Sequence, residues 1–453
     1  MKYWNHICLS IILLFFLVVP LLRELPAGQL SYVHLRVARQ YLLSGPLSQD
    51  PLYHAPLPIT PLYFLLAAFL FFAPNAGVFF SFLLLLSCIA LFYLFLNQFH
   101  LPQKVVAFSI IFAAISPLSI FAASNIVTVS LSLFFILLGS LFFLRSSLVC
   151  SFFFLALAVW QDIFNLFPII ILAACVGQEM EPKQKGLLLS LFLFSFFIHP
   201  VNLERYTQQA APITDFGAML GLGLFGLLLA LLGLYCIYQE EKIYKKACII
   251  LCFFAFSWYL LGDIVLLYFS FYFSFLAGWG AFLLTETKWE SKLVKQLTLL
   301  VLACGLLFSS ISYTNRILVE PPSLTLQEAG DWIDKNLPQE SIVLSSPSHG
   351  FWIEYFGKRK ALATPLAGKE GLVNTLFYSK NFEKTSLLLD EQQSEYILID
   401  AEMKRNIWSK EDEGLLFLFR NREKFKKVYD EKGVQIWRVM GLHPKTVGNV
   451  YKS

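Results

Sequence analysis

The chain has 453 residues, of which 57% are apolar and only 15% charged, and its formal net charge is +4. An average soluble domain is about a quarter charged, so this composition excludes an ordinary soluble protein, and it lacks the basic excess of a nucleic-acid-binding protein. The charges are unevenly distributed: 12 acidic and 15 basic residues precede Asn315, and 19 and 20 follow it. The sequence therefore predicts a mainly α-helical membrane domain, residues 1–315, followed by a small soluble domain, residues 316–453.

Apolar segments recur along the first of these regions. A helix that spans a bilayer needs about 20 mainly apolar residues, and fewer where aromatic or basic residues flank it. No small-residue cleavage site follows the first segment, so we expect a retained helix there rather than a signal peptide. Residues 61–73 are too short to span and are expected to form a juxtamembrane or re-entrant helix. About 11 spans are predicted, at residues 7–22, 78–96, 105–122, 126–144, 148–159, 163–176, 187–198, 217–238, 247–261, 264–284 and 297–313.

The distribution of Lys and Arg between these spans predicts the orientation. With a cytoplasmic N-terminus, the inner loops carry 11 basic residues and the outer loops carry four. Basic residues concentrate in cytoplasmic loops of membrane proteins. We therefore expect a multi-pass protein with two long outer loops, residues 23–77 and 199–216, and an extracellular C-terminal domain.

The hydrophilic third of the chain has an alternating α and β pattern. The capping-box sequence Thr325-Leu-Gln-Glu328 predicts a helix that ends near residue 337. Strands are expected at 341–345, 360–364 and 396–400, a helix at 349–355, and a hairpin from 425–429 and 434–439. The pattern predicts a small α/β domain without a phosphate-binding or hydrolase motif, which favours an accessory role.

The first long loop concentrates polar residues that could perform chemistry. A carboxylate can act as a general base, and Arg is suited to bidentate binding of phosphate. Asp50 is the leading candidate base, although an Asp before Pro51 is also a common way to start a turn. The alternative for the loop as a whole is that its charges are solvated near lipid headgroups. The candidate base residues are Asp50, Glu24 and Asp162, the candidate phosphate-binding residues are Arg36, Arg39 and Arg205, and His34 and His54 are candidate metal ligands with Asp50.

Two parts of the sequence resemble GT-C superfamily glycosyltransferases, the archaeal oligosaccharyltransferases in particular. In the loop, the resemblance lies in Ser31-Tyr-Val-His-Leu-Arg-Val-Ala-Arg39, in Asp50-Pro-Leu52 and in the segment from Thr60 to Ala67. In the C-terminal domain, it lies in the segments 329–338, 341–345, 350–353 and 357–359. The resemblance implies a GT-C helical bundle, a polyprenyl-phosphate sugar donor, a glycan, lipid or protein acceptor, and divalent Mg²⁺ or Mn²⁺ as the candidate cofactor.

The sequence departs from this family at its acidic positions. The family's first acidic position falls in Gly28-Gln29-Leu30-Ser31, and its second falls near Ser124-Asn125, and neither segment has a carboxylate. The acceptor motif of the oligosaccharyltransferases corresponds to Ser346-Pro-Ser-His-Gly350. Despite these departures, the resemblance and the predicted topology lead us to expect an integral-membrane glycosyltransferase of a prokaryotic, archaeal-type cell membrane that acts at the outer leaflet. The alternative is a non-catalytic GT-C-fold protein that binds lipid-linked glycan or scaffolds a membrane complex.

Overall fold

The computed structural model describes residues 25–73, 77–162, 165, 169, 183, 186–187, 190–191, 210–214, 220–238, 266–319, 322–365, 369–408, 410 and 412–441. Glu24, Arg205 and the predicted spans 7–22 and 247–261 lie outside these residues, as do nearly all of 163–176 and 187–198. Contacts divide the chain into two compact units. The helical unit comprises Met1–Ser31 and Ile59–Glu320, and the sheet unit comprises Tyr32–Pro58 and Pro321–Ser453. The predicted boundary at 315/316 stays a prediction, and part of the first long loop packs with the C-terminal segment.

The helical unit is built from apolar helices. Three of its described helices are long and apolar enough to cross a membrane: Gly77–Asn97, Leu266–Glu286 and Lys292–Val319. A fourth span results if the bent pair of helices Gln103–Ile115 and Pro117–Ser124 forms one span. The predicted total of about 11 spans therefore stays a prediction. The helices, with α1 continuing into the sheet unit, are α1 Gln29–Ser44, α2 Pro61–Phe72, α3 Gly77–Asn97, α4 Gln103–Ile115, α5 Pro117–Ser124, α6 Thr128–Leu144, α7 Leu148–Gln161, α8 Leu224–Tyr238, α9 Leu266–Glu286 and α10 Lys292–Val319. Two short parallel strands, β1 Ala210–Thr214 and β2 Leu220–Gly223, precede α8.

The predicted span 105–122 is two helices that meet at an angle of 56°. Pro117 has no N–H and clashes with the preceding turn, so the helix ends before it and restarts at it. The hydroxyl of Ser116 caps the second helix by accepting from the Ser119 N–H at 3.1 Å. The Ile115 carbonyl accepts a hydrogen bond from the Ser310 hydroxyl at 2.5 Å. Polar partners for the backbone groups at the break allow it to persist in an apolar bundle.

Glycines allow α8 and α9 to pack with backbone contact. A Cβ on Gly280 would lie 2.0 Å from the Leu229 carbonyl oxygen, and one on Gly233 would lie 1.9 Å from the Leu276 carbonyl oxygen. Real Cβ atoms do not approach backbone this closely, so both positions require glycine. Close approach through small residues is a common packing mode of membrane helices.

The sheet unit is an α/β domain with helices on both faces of a five-stranded sheet. Its strands are β3 Ile342–Leu344, β4 Lys360–Ala361, β5 Ser394–Ile399, β6 Phe425–Glu431 and β7 Val434–Val439. Their order in the sheet is β4-β3-β5-β7-β6. The strands β4, β3 and β5 are parallel, and β5, β7 and β6 are antiparallel. Successive residues of β3 and β5 enter different cores: Val343 and Leu398 lie in one, and Leu344 and Ile397 lie in the other. This alternation is the period of two that a strand covered on both faces requires.

The two helices predicted in this unit, one ending near residue 337 and one at 349–355, correspond to Leu324–Asn336 and Gly350–Phe356. The first begins with Ser323 as N-cap, which accepts from the Leu326 N–H at 3.2 Å, so Thr325 as the predicted capping residue was wrong. The helices 370–378, 382–391, 401–407 and 414–418 were not predicted. The helices are α11 Leu324–Asn336, α12 Gly350–Phe356, α13 Glu370–Tyr378, α14 Phe382–Glu391, α15 Ala401–Ile407 and α16 Gly414–Leu418.

Candidate active site

Asp50 stands in a tight turn that follows α1. Its N–H donates to the Ala55 carbonyl at 2.7 Å, its carbonyl accepts from the His54 N–H at 2.7 Å, and its carboxylate accepts from the Leu52 N–H at 2.9 Å. Asp and Asn favour such turns because their side chains bond to the backbone two residues on. Asp50 therefore does stabilise a turn, as the alternative reading of the sequence expects, but its carboxylate has a second contact.

That second contact is Arg36 of α1. One terminal guanidinium nitrogen of Arg36 donates to both Asp50 carboxylate oxygens, at 2.7 and 2.8 Å. The other terminal nitrogen lies 3.7 Å from the carboxylate of Glu354 on α12, which also accepts a hydrogen bond from the Tyr53 hydroxyl. Asp50 is 8% exposed and Glu354 is 2% exposed. These four residues, the Arg36 cluster, join one guanidinium to two buried carboxylates.

The electrostatics of the Arg36 cluster follow from its burial. Burial raises the pKa of Glu354, while the Arg36 charge and the Tyr53 hydrogen bond oppose that shift. Burial alone lowers the pKa of Arg36, but the hydrogen bond to Asp50 and the two carboxylate charges outweigh it, so the pKa is raised and the guanidinium stays charged. Burial and the Glu354 charge also raise the pKa of the Tyr53 hydroxyl. For Glu354 the net effect is a raised pKa, so its site favours the protonated carboxyl more than water does.

Arg39 lies one turn further along α1 and has a different environment. Its guanidinium lies over the ring of Tyr355, 4.7 Å from the centroid, and the residue is exposed. A cation held on an aromatic face keeps its N–H donors available to an anion. Of the two predicted phosphate-binding residues in this loop, Arg39 is therefore the one open to solvent.

The predicted histidine ligands are not gathered into a metal site. Burial lowers the pKa of His34 to about 4, so its imidazole is neutral at pH 7. His54 is exposed, with a positive φ of 53°. Across the described ranges, no three His, Cys, Asp or Glu side chains converge as a metal-binding group.

Asp162, the third candidate base, lies in the helical unit at the end of α7 and is half-buried. Beside it, the Asn165 amide donates to the Ser132 hydroxyl at 2.8 Å and to the Ala158 carbonyl at 2.6 Å. The Tyr268 hydroxyl donates to Asn165 at 2.5 Å, and the Asn165 N–H donates to the Asp162 carbonyl at 3.0 Å. Asp162 therefore borders a buried polar network.

Sequence reasoning missed Glu354, the most buried member of the Arg36 cluster. The signal for it is a single carboxylate inside the apolar run Gly350–Phe356, because a charge in such a run requires a partner.

Sequence reasoning also missed a polar triplet at the carboxyl ends of β3 and β5. His349 Nδ1 lies 3.3 Å from the Ser345 hydroxyl, and its Nε2 lies 3.5 Å from the Asp400 carboxylate. Burial lowers the pKa of His349, and the nearby charge of Asp400 partly offsets it.

Comparison with solved structures identifies the fold. The oligosaccharyltransferase of Archaeoglobus fulgidus in its apo form matches with a TM-score of 0.61 and 12% identity, covering 89% of this chain and 70% of that chain. The archaeal oligosaccharyltransferase AglB from Archaeoglobus fulgidus, in complex with an inhibitory peptide and a dolichol-phosphate, matches with a TM-score of 0.55 and 12% identity, covering 97% of this chain and 74% of that chain. ArnT from Cupriavidus metallidurans bound to undecaprenyl phosphate matches with a TM-score of 0.51 and 11% identity, covering 98% and 100%. No protein-family profile and no curated protein sequence matches the chain.

Both relatives are GT-C glycosyltransferases. The protein therefore has the GT-C fold, and the fold expected from the loop and C-terminal motifs is confirmed. Three of its described helices are long and apolar enough to cross a membrane, as an integral membrane protein requires.

Proposed function

We propose that the protein is an integral-membrane glycosyltransferase that takes a sugar from a polyprenyl-phosphate-linked donor at the outer leaflet. The observation that carries the proposal is the Arg36–Asp50 pair, a base and a phosphate-binding group at 2.7 Å from each other. The relatives with this fold, captured with dolichol-phosphate and undecaprenyl phosphate, support the class of donor. The predicted excess of basic residues in the inner loops supports the outer face.

The proposed chemistry is a displacement at the anomeric carbon of the sugar. Asp50 accepts the proton of the acceptor hydroxyl or amide, the acceptor oxygen or nitrogen bonds to the anomeric carbon, and the bond from that carbon to the carrier phosphate breaks. The phosphate leaves with the bonding electrons, and Arg39 and Arg36 stabilise its negative charge. An arriving phosphate competes with Asp50 for Arg36 and so frees the carboxylate to accept a proton.

Glu24, Arg205 and Asp162 remain candidates within this proposal, as a further base, a second phosphate-binding group and a carboxylate at the end of α7. The acceptor class includes glycans, lipids and proteins. Glu354 has a positioning role in the proposal, because its buried carboxylate contacts the terminal nitrogen of Arg36 that Asp50 does not use.

A second candidate is a non-catalytic GT-C-fold protein that binds lipid-linked glycan or scaffolds a membrane complex. The observation that favours it is the pairing of Arg36 with two carboxylates of its own chain, which satisfies charges that a transferase would direct at substrates. The Leu30, Ser31 and Asn125 residues at the family's acidic positions favour it too.

The deciding experiment is a transfer assay with the purified full-length protein and a panel of polyprenyl-phosphate sugars. Asp50→Asn keeps the size of the side chain and is expected to reduce kcat by about 10²- to 10⁴-fold, the usual contribution of a general base. Asp331→Asn, at an exposed position of α11, is the matched control and is expected to leave kcat unchanged. Equal turnover in Asp50→Asn and the parent would remove Asp50 as base. Donor binding without turnover in any variant would establish the scaffold instead.

A further inference from the structure

The start of α1 is joined to the end of α5 by direct hydrogen bonds. The Ala27 N–H donates to the Ser124 carbonyl at 3.2 Å, and the Ile126 N–H donates to the Ser31 hydroxyl at 2.9 Å. Between these two, the Gly28 N–H donates to the side-chain oxygen of Asn125. We call this set of residues the clasp, and its members are Ala27, Gly28, Ser31, Ser124, Asn125 and Ile126.

The clasp is closely packed and buried. Asn125 is 1% exposed, and Ser124 is fully buried. A Cβ on Gly28 would lie 2.7 Å from the Asn125 side-chain oxygen, so the carboxamide occupies the space that a side chain at residue 28 would need. The Asn125 amide nitrogen donates to the Phe121 carbonyl at 3.0 Å, which fixes the orientation of the carboxamide.

The polar groups of the clasp and of its neighbour Gln29 are all neutral. Mg²⁺ and similar divalent ions are bound in proteins through one or two carboxylates, which compensate their charge. Two buried oxygens here, Gln29 Oε1 and Ser124 Oγ, have no hydrogen-bond partner in the described part of the chain. Neutral acceptors alone leave a buried double charge uncompensated, so the donor set does not fit a divalent cation.

These segments are the ones in which the resemblance to the GT-C family implies two acidic residues. We propose that the clasp replaces a divalent-cation bridge. Hydrogen bonds from the Gly28 N–H to Asn125 and from the Ile126 N–H to Ser31 hold the two segments together, and the protein has no divalent metal at this position. The inference rests on the proposed function only through that family correspondence. The hydrogen bonds themselves are independent of any transfer activity.

The test is to convert the two amides to carboxylates of the same shape in the full-length protein. Gln29→Glu with Asn125→Asp supplies the missing negative charges, and the single Asn125→Asp variant serves if the double variant does not fold. The readouts are the Tm with EDTA, Mg²⁺ or Mn²⁺ and the metal content of the purified protein by mass spectrometry. Gln40→Glu, on the same helix but outside the clasp, is the charge control.

We expect the parent protein to contain no stoichiometric divalent metal and to keep its Tm within about 1 °C in EDTA or Mn²⁺, as a protein with no site for the ion should. A carboxylate variant should gain about 3 °C or more in saturating Mn²⁺, because a ligand that binds only the folded state raises Tm. About one metal ion per parent chain, lost in Asn125→Leu, would overturn the inference, and so would carboxylate variants that fold but do not respond to metal.

The same experiment separates this inference from the proposed function. A parent protein that transfers sugar but loses the activity in EDTA and regains it in Mn²⁺ refutes metal independence while supporting the transferase. A metal-insensitive parent without transfer activity supports the clasp and refutes the transferase.

Discussion

Removal of Arg36 should loosen the contact between the Asp50 turn and α12 within the sheet unit. In Arg36→Ala the carboxylate of Glu354, a residue that is 2% exposed, loses the guanidinium nitrogen that lies 3.7 Å from it. At this distance two charges near a protein surface interact by about 4 kcal/mol, and deletion of one partner of a buried pair costs about 3–5 kcal/mol. Since about 1.4 kcal/mol corresponds to a factor of ten, the local opening of the loop should become about 100- to 3000-fold more frequent.

Hydrogen exchange measures this opening directly, because the amides of Leu52, His54 and Leu57 are hydrogen-bonded within the loop. Peptides that cover residues 48–57 should exchange faster by that factor in Arg36→Ala. Arg39→Ala is the control: its exposed cation–π contact contributes about 0.5–1 kcal/mol, so exchange should rise by about fivefold at most. Equal exchange in Arg36→Ala and Arg39→Ala would show that the Arg36 cluster does not hold the loop.

Three further variants test other parts of the fold. Gly280→Ala should lower the Tm of the purified protein markedly, because its Cβ would lie 2.0 Å from a carbonyl oxygen. Gly226→Ala is the control and should change the Tm little, because its Cβ would meet only a side-chain carbon at 3.8 Å. Similar losses of Tm in both variants would refute the packing argument. His349, whose pKa is lowered by burial, stays neutral in the folded protein while the unfolded chain protonates near its ordinary pKa of about 6.5. Its contribution is therefore complete above that pH and falls by up to about 1.4 kcal/mol per pH unit below it, and a thermal melt series from pH 7.5 to 5.5 should be flatter in His349→Gln. Arg359→Met removes a buried guanidinium that donates to the Leu337 carbonyl at 2.6 Å. It should lower the Tm far more than Lys358→Met, which removes an exposed ion pair worth less than about 1 kcal/mol. A smaller loss of Tm in Arg359→Met than in Lys358→Met would contradict the structural role of the buried guanidinium.

The sequence was informative wherever one physical signal dominated. The apolar segments 78–96, 126–144 and 264–284 became the helices Gly77–Asn97, Thr128–Leu144 and Leu266–Glu286 because a long apolar run has few alternatives to a helix. The hairpin followed from its turn, in which Lys432 and Gly433 both have positive φ. The bend in the segment 105–122 could have been found from Pro117, but hydropathy averages over a single proline.

The candidate site was harder to predict, because its members are distant in the sequence. Arg36 and Asp50 were singled out separately, as a phosphate ligand and a base, and the structure pairs them with each other. Their third partner, Glu354, comes from a segment that had been assigned only a helix. Neither composition nor spacing reports which residues of a loop and a distant domain will meet, since that is decided by tertiary packing.

The bond between Tyr53 and Glu354 has a consequence for synthesis, since 301 positions separate the two residues. At about 5–20 residues per second, a ribosome needs roughly 15–60 s to make that length of chain. During that interval Arg36 and Tyr53 lack the carboxylate of Glu354, and most of the helical unit is made before it appears. The Arg36 cluster therefore reaches its final arrangement only after residue 354 has been made, so the early loop completes its packing late in synthesis.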